Sequence, residues 1–379
     1  GQYGPEGEGG DLRMHNPYGI AYRNPRENTR KRYMLTAGAT YKITDWMDGS
    51  GRIKVDNTDL FYTQKLYATS NATLLEGSKY GHYTQQDEQT RQTYGDVMVN
   101  INKTFGENWS LQANVGASIS DMRSDASKVR GPIAYGEQTG YDKDGNAIYE
   151  PNNIPNVFNV YNLSKSKTVR EQIGWREQSQ SVFFSAEVGF KGAYYLTVTG
   201  RNDWASQLAY SKNSSFFYPS VGLSAVVSNM VNMPEWFTFL KVRGSYSKVA
   251  SAFARYLSNP AYSFNNQTHN WSKPSTYPAY NLKPEDTKSW EIGLNARFLN
   301  HINFDVTYYR SNTLHQTIYA PLPSSSGYNQ VGVQAGDVQN QGVELALGYN
   351  NKWNDFTWSS SYTFTLNRNE IKRLAAGEV

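Results

Sequence analysis

The residue types that carry most enzyme chemistry are present in this sequence but not in useful company. Five histidines, His15, His82, His269, His301 and His315, are scattered, with no H-E-x-x-H or other metal-ligand spacing. There is no cysteine, which removes disulfide frameworks, thiolate zinc sites and thiol nucleophiles. No G-x-S-x-G elbow or phosphate-binding glycine loop occurs, and no pair of loop carboxylates identifies a glycosidase. Asp142–Asn146 (DKDGN) starts like a calcium loop, but its glycine falls at the fourth position rather than the sixth. Asp-Gly is also a hairpin dipeptide, so turn is the favoured reading and calcium the alternative. The glycosylation-type triplets at Asn71 and Asn108 are chance matches. The expectation is therefore no catalytic residue, no metal and no cofactor.

Two other groups of residues carry more information. The first is a set of charges of both signs in the middle of strand-like segments: Glu187, Arg201, Arg243, Glu291, Arg297, Asp305 and Glu344, with Lys42, Asp96 and Lys241. Such charges need water or partners. The second is a loop over 249–287 in which Tyr256, Tyr262, Phe264, Trp271, Tyr277 and Tyr280 stand among Asn, Ser and Pro. Flat aromatic faces beside amides and hydroxyls suit stacking on sugar rings or holding peptide backbone. They equally suit packing against a lid or a neighbouring loop. Tyr262, Trp271, Tyr277 and Tyr280 are the ligand-contact candidates.

The elements that position these residues read as strands. Strict alternation of apolar and polar residues, the strand period, covers Tyr33–Ile43, Asp96–Phe105, Trp109–Ile119, Val182–Phe190, Tyr194–Gly200, Val221–Val227, Leu240–Tyr246, Trp290–Phe298, Ile302–Tyr308, Val343–Tyr349 and Phe356–Leu366. Lys103 interrupts one of them, and Arg52–Leu60 is the weakest of the set. That makes about twelve strands of up to about ten residues, close to what crosses a bilayer at a tilt. Short turns join pairs, at 45–51, 106–108, 191–193, 229–236, 299–301 and 351–355, and long connections join one pair to the next, at 61–93, 121–180, 202–216, 249–287 and 313–339. Antiparallel neighbours joined this way carry every short turn at one end and every long loop at the other, as outer-membrane barrels do. Aromatics gather at the short-turn ends: Phe105 and Trp109, Phe190 and Tyr194, Trp236 and Phe237, Trp353 and Phe356. A headgroup-level girdle explains them; cross-strand aromatic pairing in a soluble β-sandwich is the alternative. In a barrel the mid-strand charges face the lumen.

Composition agrees. The 379 residues are 18% charged and 14% aromatic, with 29 tyrosines and a mean hydropathy of −0.67. Uncharged polar residues and tyrosine supply the polarity, which suits neither a helical bundle nor a disordered chain. No apolar run approaches the roughly 18 residues of a membrane helix. A net charge of +4 without a basic run offers no footprint for nucleic acid. Gly1–Gly10 (GQYGPEGEGG) has neither the basic nor the apolar region of a signal peptide, so the expectation is a processed or internal piece.

A series of short motifs runs along the chain: Tyr194–Asp203 (YYLTVTGRND), ending in Arg-x-Asp, and Phe216–Ser220 (FFYPS), an aromatic-Pro-Ser strand start. Leu240–Tyr246 (LKVRGSY), Glu285–Leu294 (EDTKSWEIGL), Thr307–Arg310 (TYYR), Gly327–Tyr328 and Asn340–Leu345 (NQGVEL) follow. In type and order these motifs resemble one family, the SusC/RagA-type TonB-dependent outer-membrane transporters of Bacteroidetes. The resemblance implies import of oligosaccharides or peptides across the bacterial outer membrane. It also implies a SusD-like surface lipoprotein as lid, and TonB acting through a plug domain. Plug, TonB box, N-terminal extension and C-terminal strands are absent from 1–379, so the expectation is about half of a barrel of about 22 strands, in contact with outer-membrane lipid. A passive porin or adhesin barrel, or a secreted β-rich glycan-binding protein or hydrolase, are the alternatives.

Overall fold

The computed structural model describes residues 17–136, 138–150, 152–211, 213–258, 260–265, 270–279 and 282–373. Twelve long strands form one antiparallel sheet in chain order. They are β1 (Arg26–Thr44), β2 (Met47–Tyr67), β3 (Gly81–Phe105), β4 (Trp109–Pro132), β7 (Val169–Phe190), β8 (Tyr194–Ala205), β9 (Phe216–Val226), β10 (Phe237–Ser251), β14 (Glu285–Phe298), β15 (Ile302–Pro321), β16 (Gln330–Trp353) and β17 (Phe356–Arg373). Each segment read from alternation, including the weak Arg52–Leu60, lies on one of these strands, except that Val227 of Val221–Val227 falls one residue past β9 in a 3-10 turn. Small additions sit in the long connections. The hairpin of β5 (Gln138–Tyr141) and β6 (Ala147–Tyr149) and that of β11 (Ser263–Asn265) and β12 (Asn270–Ser272) stand apart, and β13 (Thr276–Tyr277) adds parallel to β16. A helix over Pro17–Arg23, with proline at its first turn as helices favour, precedes β1. Alternation had given no sign of it.

Among the described residues β1 pairs only with β2 and β17 only with β16, so the sheet is an open wall rather than a closed barrel. The strands are also longer than expected. β3 and β4 pair without a break from Phe105↔Trp109 to His82↔Pro132, deep into the segments that the sequence marked as loop. The reason is physical. Alternation stops where the outward face turns polar, but the backbone ladder needs no apolar side chains to continue.

Side-chain burial is inverted relative to a soluble sheet. The apolar residues of alternate positions are open: Val97 is 62% exposed, Val115 51%, Leu223 63% and Ile292 58%. The two buried apolar clusters lie toward the long connections. One cluster is Leu208, Phe253, Leu257 and Leu282; the other is Tyr83, Ile133 and Leu163, with Phe158 against it. At the short-turn ends the aromatics meet in rings: Trp109 and Phe190 lie 4.5 Å apart, Phe237 and Phe298 4.9 Å, Trp353 and Phe356 6.1 Å. Lys103, the break in alternation on β3, carries its ammonium to 4.3 Å from the Trp46 ring at the β1–β2 turn. A long side chain that runs its stem along an apolar face and carries its charge to the end of that face behaves this way.

Candidate functional site

The face opposite the apolar one carries the charges. Successive strand residues point to opposite faces, so register alone sorts them. On β10, β14, β15 and β16 the pairs Arg243↔Gly293, Thr307↔Gly293, Thr307↔Glu344 and Asn295↔Asp305 place Arg243, Asp305 and Glu344 on one face. Glu291 and Arg297 lie two positions either side of Gly293 and Asn295 on the same face. These five predicted charges form one neighbourhood. Glu187 and Arg201 stand apart on β7 and β8, opposite Thr197 and Phe183.

Arg243 organises the neighbourhood. Its guanidinium donates to Asn295 Oδ1 at 2.7 Å, to Thr307 Oγ1 at 2.6 Å and to Asp305 at 3.3 Å, and Asn295 also donates to Asp305. The side chain can lie flat only because residue 293 is glycine: a Cβ there would stand 2.6 Å from Arg243 Nε. Three of the quoted motifs thus meet in one contact, Arg243 from LKVRGSY, Gly293 from EDTKSWEIGL and Thr307 from TYYR. Gly342 of NQGVEL is held to glycine by backbone as well, since a Cβ there would overlap the Leu366 carbonyl and stand 2.7 Å from the Tyr309 hydroxyl. Arg297 donates to Asn303 Oδ1 at 2.9 Å. Glu291 and Glu344 are exposed and, among the described residues, have no hydrogen bond or ion pair.

On the other wall Arg201 pairs with Asp203 at 2.8 Å and donates to Ser181 at 2.8 Å, while the Tyr218 hydroxyl donates to Asp203 at 2.5 Å. The Arg-x-Asp motif is therefore one ion pair, and its spacing of two is the strand spacing that keeps both on one face. Glu187 accepts from Thr197 at 3.0 Å. Sequence reading missed the uncharged partners Asn295, Thr307, Ser181 and Tyr218. It also missed the ladder of Arg52 with the buried Asp96, at 2.9 Å, and Arg32 with the buried Asp56, at 2.6 Å. Same-face parity across neighbouring strands is the signal that would have found them, once register is known.

The loop aromatics divide. Trp271, 68% exposed, sits on β12 against Phe264 at 5.1 Å, and Tyr277 on β13 meets Tyr328 edge-on at 5.2 Å. Tyr262 is exposed and has no ring contact among the described residues. Tyr280 lies outside the described residues, as do His15 and His269. The remaining histidines each keep to separate partners. His82 is buried beside Glu76, His315 bonds Asp286 at 2.6 Å, and His301 meets the Asn350 carbonyl at 3.1 Å. No group of three metal-ligating side chains occurs among the described residues.

The DKDGN segment is a closed turn. Asp142 accepts from the Asn146 side chain and from the backbone of Asn146 and Asp144. These hydrogen bonds, that of the Asn146 side chain first, hold its carboxyl below the usual range.

Comparison with known proteins decides the family. The family described as "TonB dependent receptor-like, beta-barrel" matches residues 2–377. The chain belongs to that family. TonB-dependent receptor P3 of Formosa agariphila is 24% identical over 96% of this chain and 35% of its own length. TonB-dependent receptor SusC of Bacteroides thetaiotaomicron is 27% identical over 55% of this chain and 22% of its own. The solved RagAB peptide transporter shares the fold, with a TM-score of 0.78 at 21% identity over 96% of this chain and 39% of that one. The SusC/RagA-type resemblance read from the motifs holds, and with it the outer-membrane β-barrel setting. The chain spans between 22% and 35% of the length of these curated relatives.

Proposed function

We propose that this chain is part of the barrel wall of an active importer that carries oligosaccharides or peptides across the bacterial outer membrane. A SusD-like surface lipoprotein would act as its lid, and TonB would energise it through a plug domain outside residues 1–379, as would further barrel strands complete the wall. The observation that carries this reading is the inverted wall. An apolar face is left open to the surroundings along the strands, and a face of paired and unpaired charges lies opposite, in a chain of TonB-dependent receptor type. On this reading the charged face is the lumen. Its self-paired members, Arg201 with Asp203 and Arg243 with Asp305, brace the wall. The open carboxylates Glu291 and Glu344 are then the groups free to meet plug or cargo. Relatives named as TonB-dependent receptors, and a solved structure named as a peptide transporter, support the assignment to transport rather than catalysis.

The test is uptake by the intact transporter in cells. Collapse of the inner-membrane proton gradient should stop uptake of a fluorescent oligosaccharide or peptide; continued uptake would mark a passive porin. The substitution Trp271→Ala should weaken uptake without lowering surface abundance. Unchanged uptake would remove the 249–287 loop from ligand contact and leave it to pack against the lid.

A further inference from the structure

Outside the charged face, the apolar side of the wall carries one row that its position does not explain. Register runs Tyr33↔Asn57, Asn57↔Arg91, Arg91↔Arg123 and Arg123↔Arg176 across β1, β2, β3, β4 and β7. Three arginines thus stand directly opposite one another on the outward face. Like charges so placed destabilise a sheet. Arg176 is relieved by Asp121 at 2.6 Å. Arg91 and Arg123 are exposed and, among the described residues, have no hydrogen bond or ion pair.

The row lies just beyond the apolar band, on its long-loop side. Two ladder steps toward the short turns, the same strands present Ala37, Ile53, Gly95 and Ile119, in line with Gln180 and Trp204. Here the wall is hollowed by a groove of about 840 Å³ whose lining includes Ala37, Gly51, Gly95, Ala117, Val182 and Trp204. Nothing inside the wall requires its glycines. A Cβ at Gly51 would meet its nearest atom at 3.8 Å, as would one at Gly95, and neither has a positive φ. The missing side chains leave space that faces lipid.

We propose that this surface holds one anionic lipid of the outer leaflet, with its headgroup phosphate on Arg91 and Arg123 and an acyl chain in the groove below. Guanidinium groups are well shaped for phosphate oxygens. A bound phosphate would also remove the mutual repulsion of the row. The carboxylates on this face support the same placement. Asp59, Asp87 and Asp125 lie beyond the arginines on the side away from the membrane, where they exclude an anion. Asp121, on the membrane side, is already held by Arg176. A free phosphate would use the arginines but gain nothing from the groove, so an acylated anion fits both features. The proposal rests on the apolar face being lipid-facing, which heat-modifiable gel migration of the folded barrel tests separately.

The experiment is native mass spectrometry of the intact transporter in detergent, titrated with monophosphoryl lipid A. One saturable adduct is expected. Arg91→Gln combined with Arg123→Gln should weaken it by about tenfold or more, a shift readily resolved in a titration. Gly51→Leu, with the arginines intact, should weaken it comparably by filling the groove, and Gly51→Val serves where the larger variant does not fold. Arg310→Gln, opposite Trp290 on β15, should leave it unchanged. Loss in Arg310→Gln equal to that in the paired arginine variant would show diffuse charge attraction and overturn the proposal. So would an adduct indifferent to Gly51→Leu, or one displaced by inorganic phosphate alone. Heat-modifiable migration is confirmed for each variant first, so a failed barrel is not mistaken for a failed lipid site.

Discussion

The two halves of β3 and β4 are built on one uninterrupted ladder and obey opposite side-chain rules. Near the short turn, outward positions are Val97, Val99 and Ile101 on β3 and Ala113, Val115 and Ala117 on β4, with Val97 and Val115 exposed and the other four half-buried. Further along the same face the outward positions become Asp87, Gln89 and Arg91 on one strand and Arg123, Asp125 and Ser127 on the other. The backbone does not register the change. Hydrogen bonding holds the strand in both halves; the side chains report only the solvent outside. Apolar packing within the protein appears where the strands end, around Ile133 and Leu163, with the Ile133 backbone bonded to Gly81 and Ser78. One half is stabilised by lipid, the other by its own loops.

Three measurements press on that contrast. The largest effect is expected at Ile133, which is fully buried. Ile133→Ala should cost the loop cluster about 2–5 kcal/mol, read as faster hydrogen exchange and proteolysis over 68–80 and 133–168. Protection of the short-turn half should not change. If both halves loosen together, they form one cooperative unit and the division fails. Next, Val115→Arg in the middle of the apolar band should destabilise the intact barrel in bilayers by about 2–4 kcal/mol. Gln89→Arg, on the same face of the neighbouring strand but beyond the band, should cost close to nothing. Equal costs in urea unfolding would mean that the two positions share a solvent.

The smallest effect concerns pH and belongs to the loop half alone. His82 is buried, and burial, with Arg130 adding to it, holds its imidazole below the ordinary histidine value, while Glu76 pulls the other way. The folded cluster therefore keeps the neutral ring, and the opened loop takes a proton more readily. Stability from this group is present above roughly pH 6.5 and declines as the pH falls through that value. Proteolysis of 68–80 should accelerate on acidification, and His82→Gln should flatten the dependence. An identical pH profile in that variant would assign the effect to other groups.

What was legible in the sequence follows the same boundary. Every membrane-crossing segment could be read, because lipid on one side and water on the other impose a period of two. The outer halves of β2, β3, β4, β7, β15 and β16 could not, since water on both faces leaves no period. Arg201 was readable as a mid-strand charge, but Asp203 fell in the connection over 202–216, and their same-face pairing follows only from β8 running on to Ala205. The contact of Arg243 with Asn295, Asp305 and Thr307 was not, because it spans three strands whose register is set by pairing rather than by local pattern. The loop aromatics remained a composition until the backbone assigned Trp271 to a hairpin beside Phe264 and Tyr277 to a strand beside β16.

The sequence by itself determined the strand type, the lipid-facing parity and the family, since each is written in local order: a period, a turn, a motif. Only the tertiary structure decided which charges meet, how far the ladders run beyond the membrane and that three arginines stand abreast above an apolar groove. Those depend on register between strands, and register is settled by the whole sheet pairing at once.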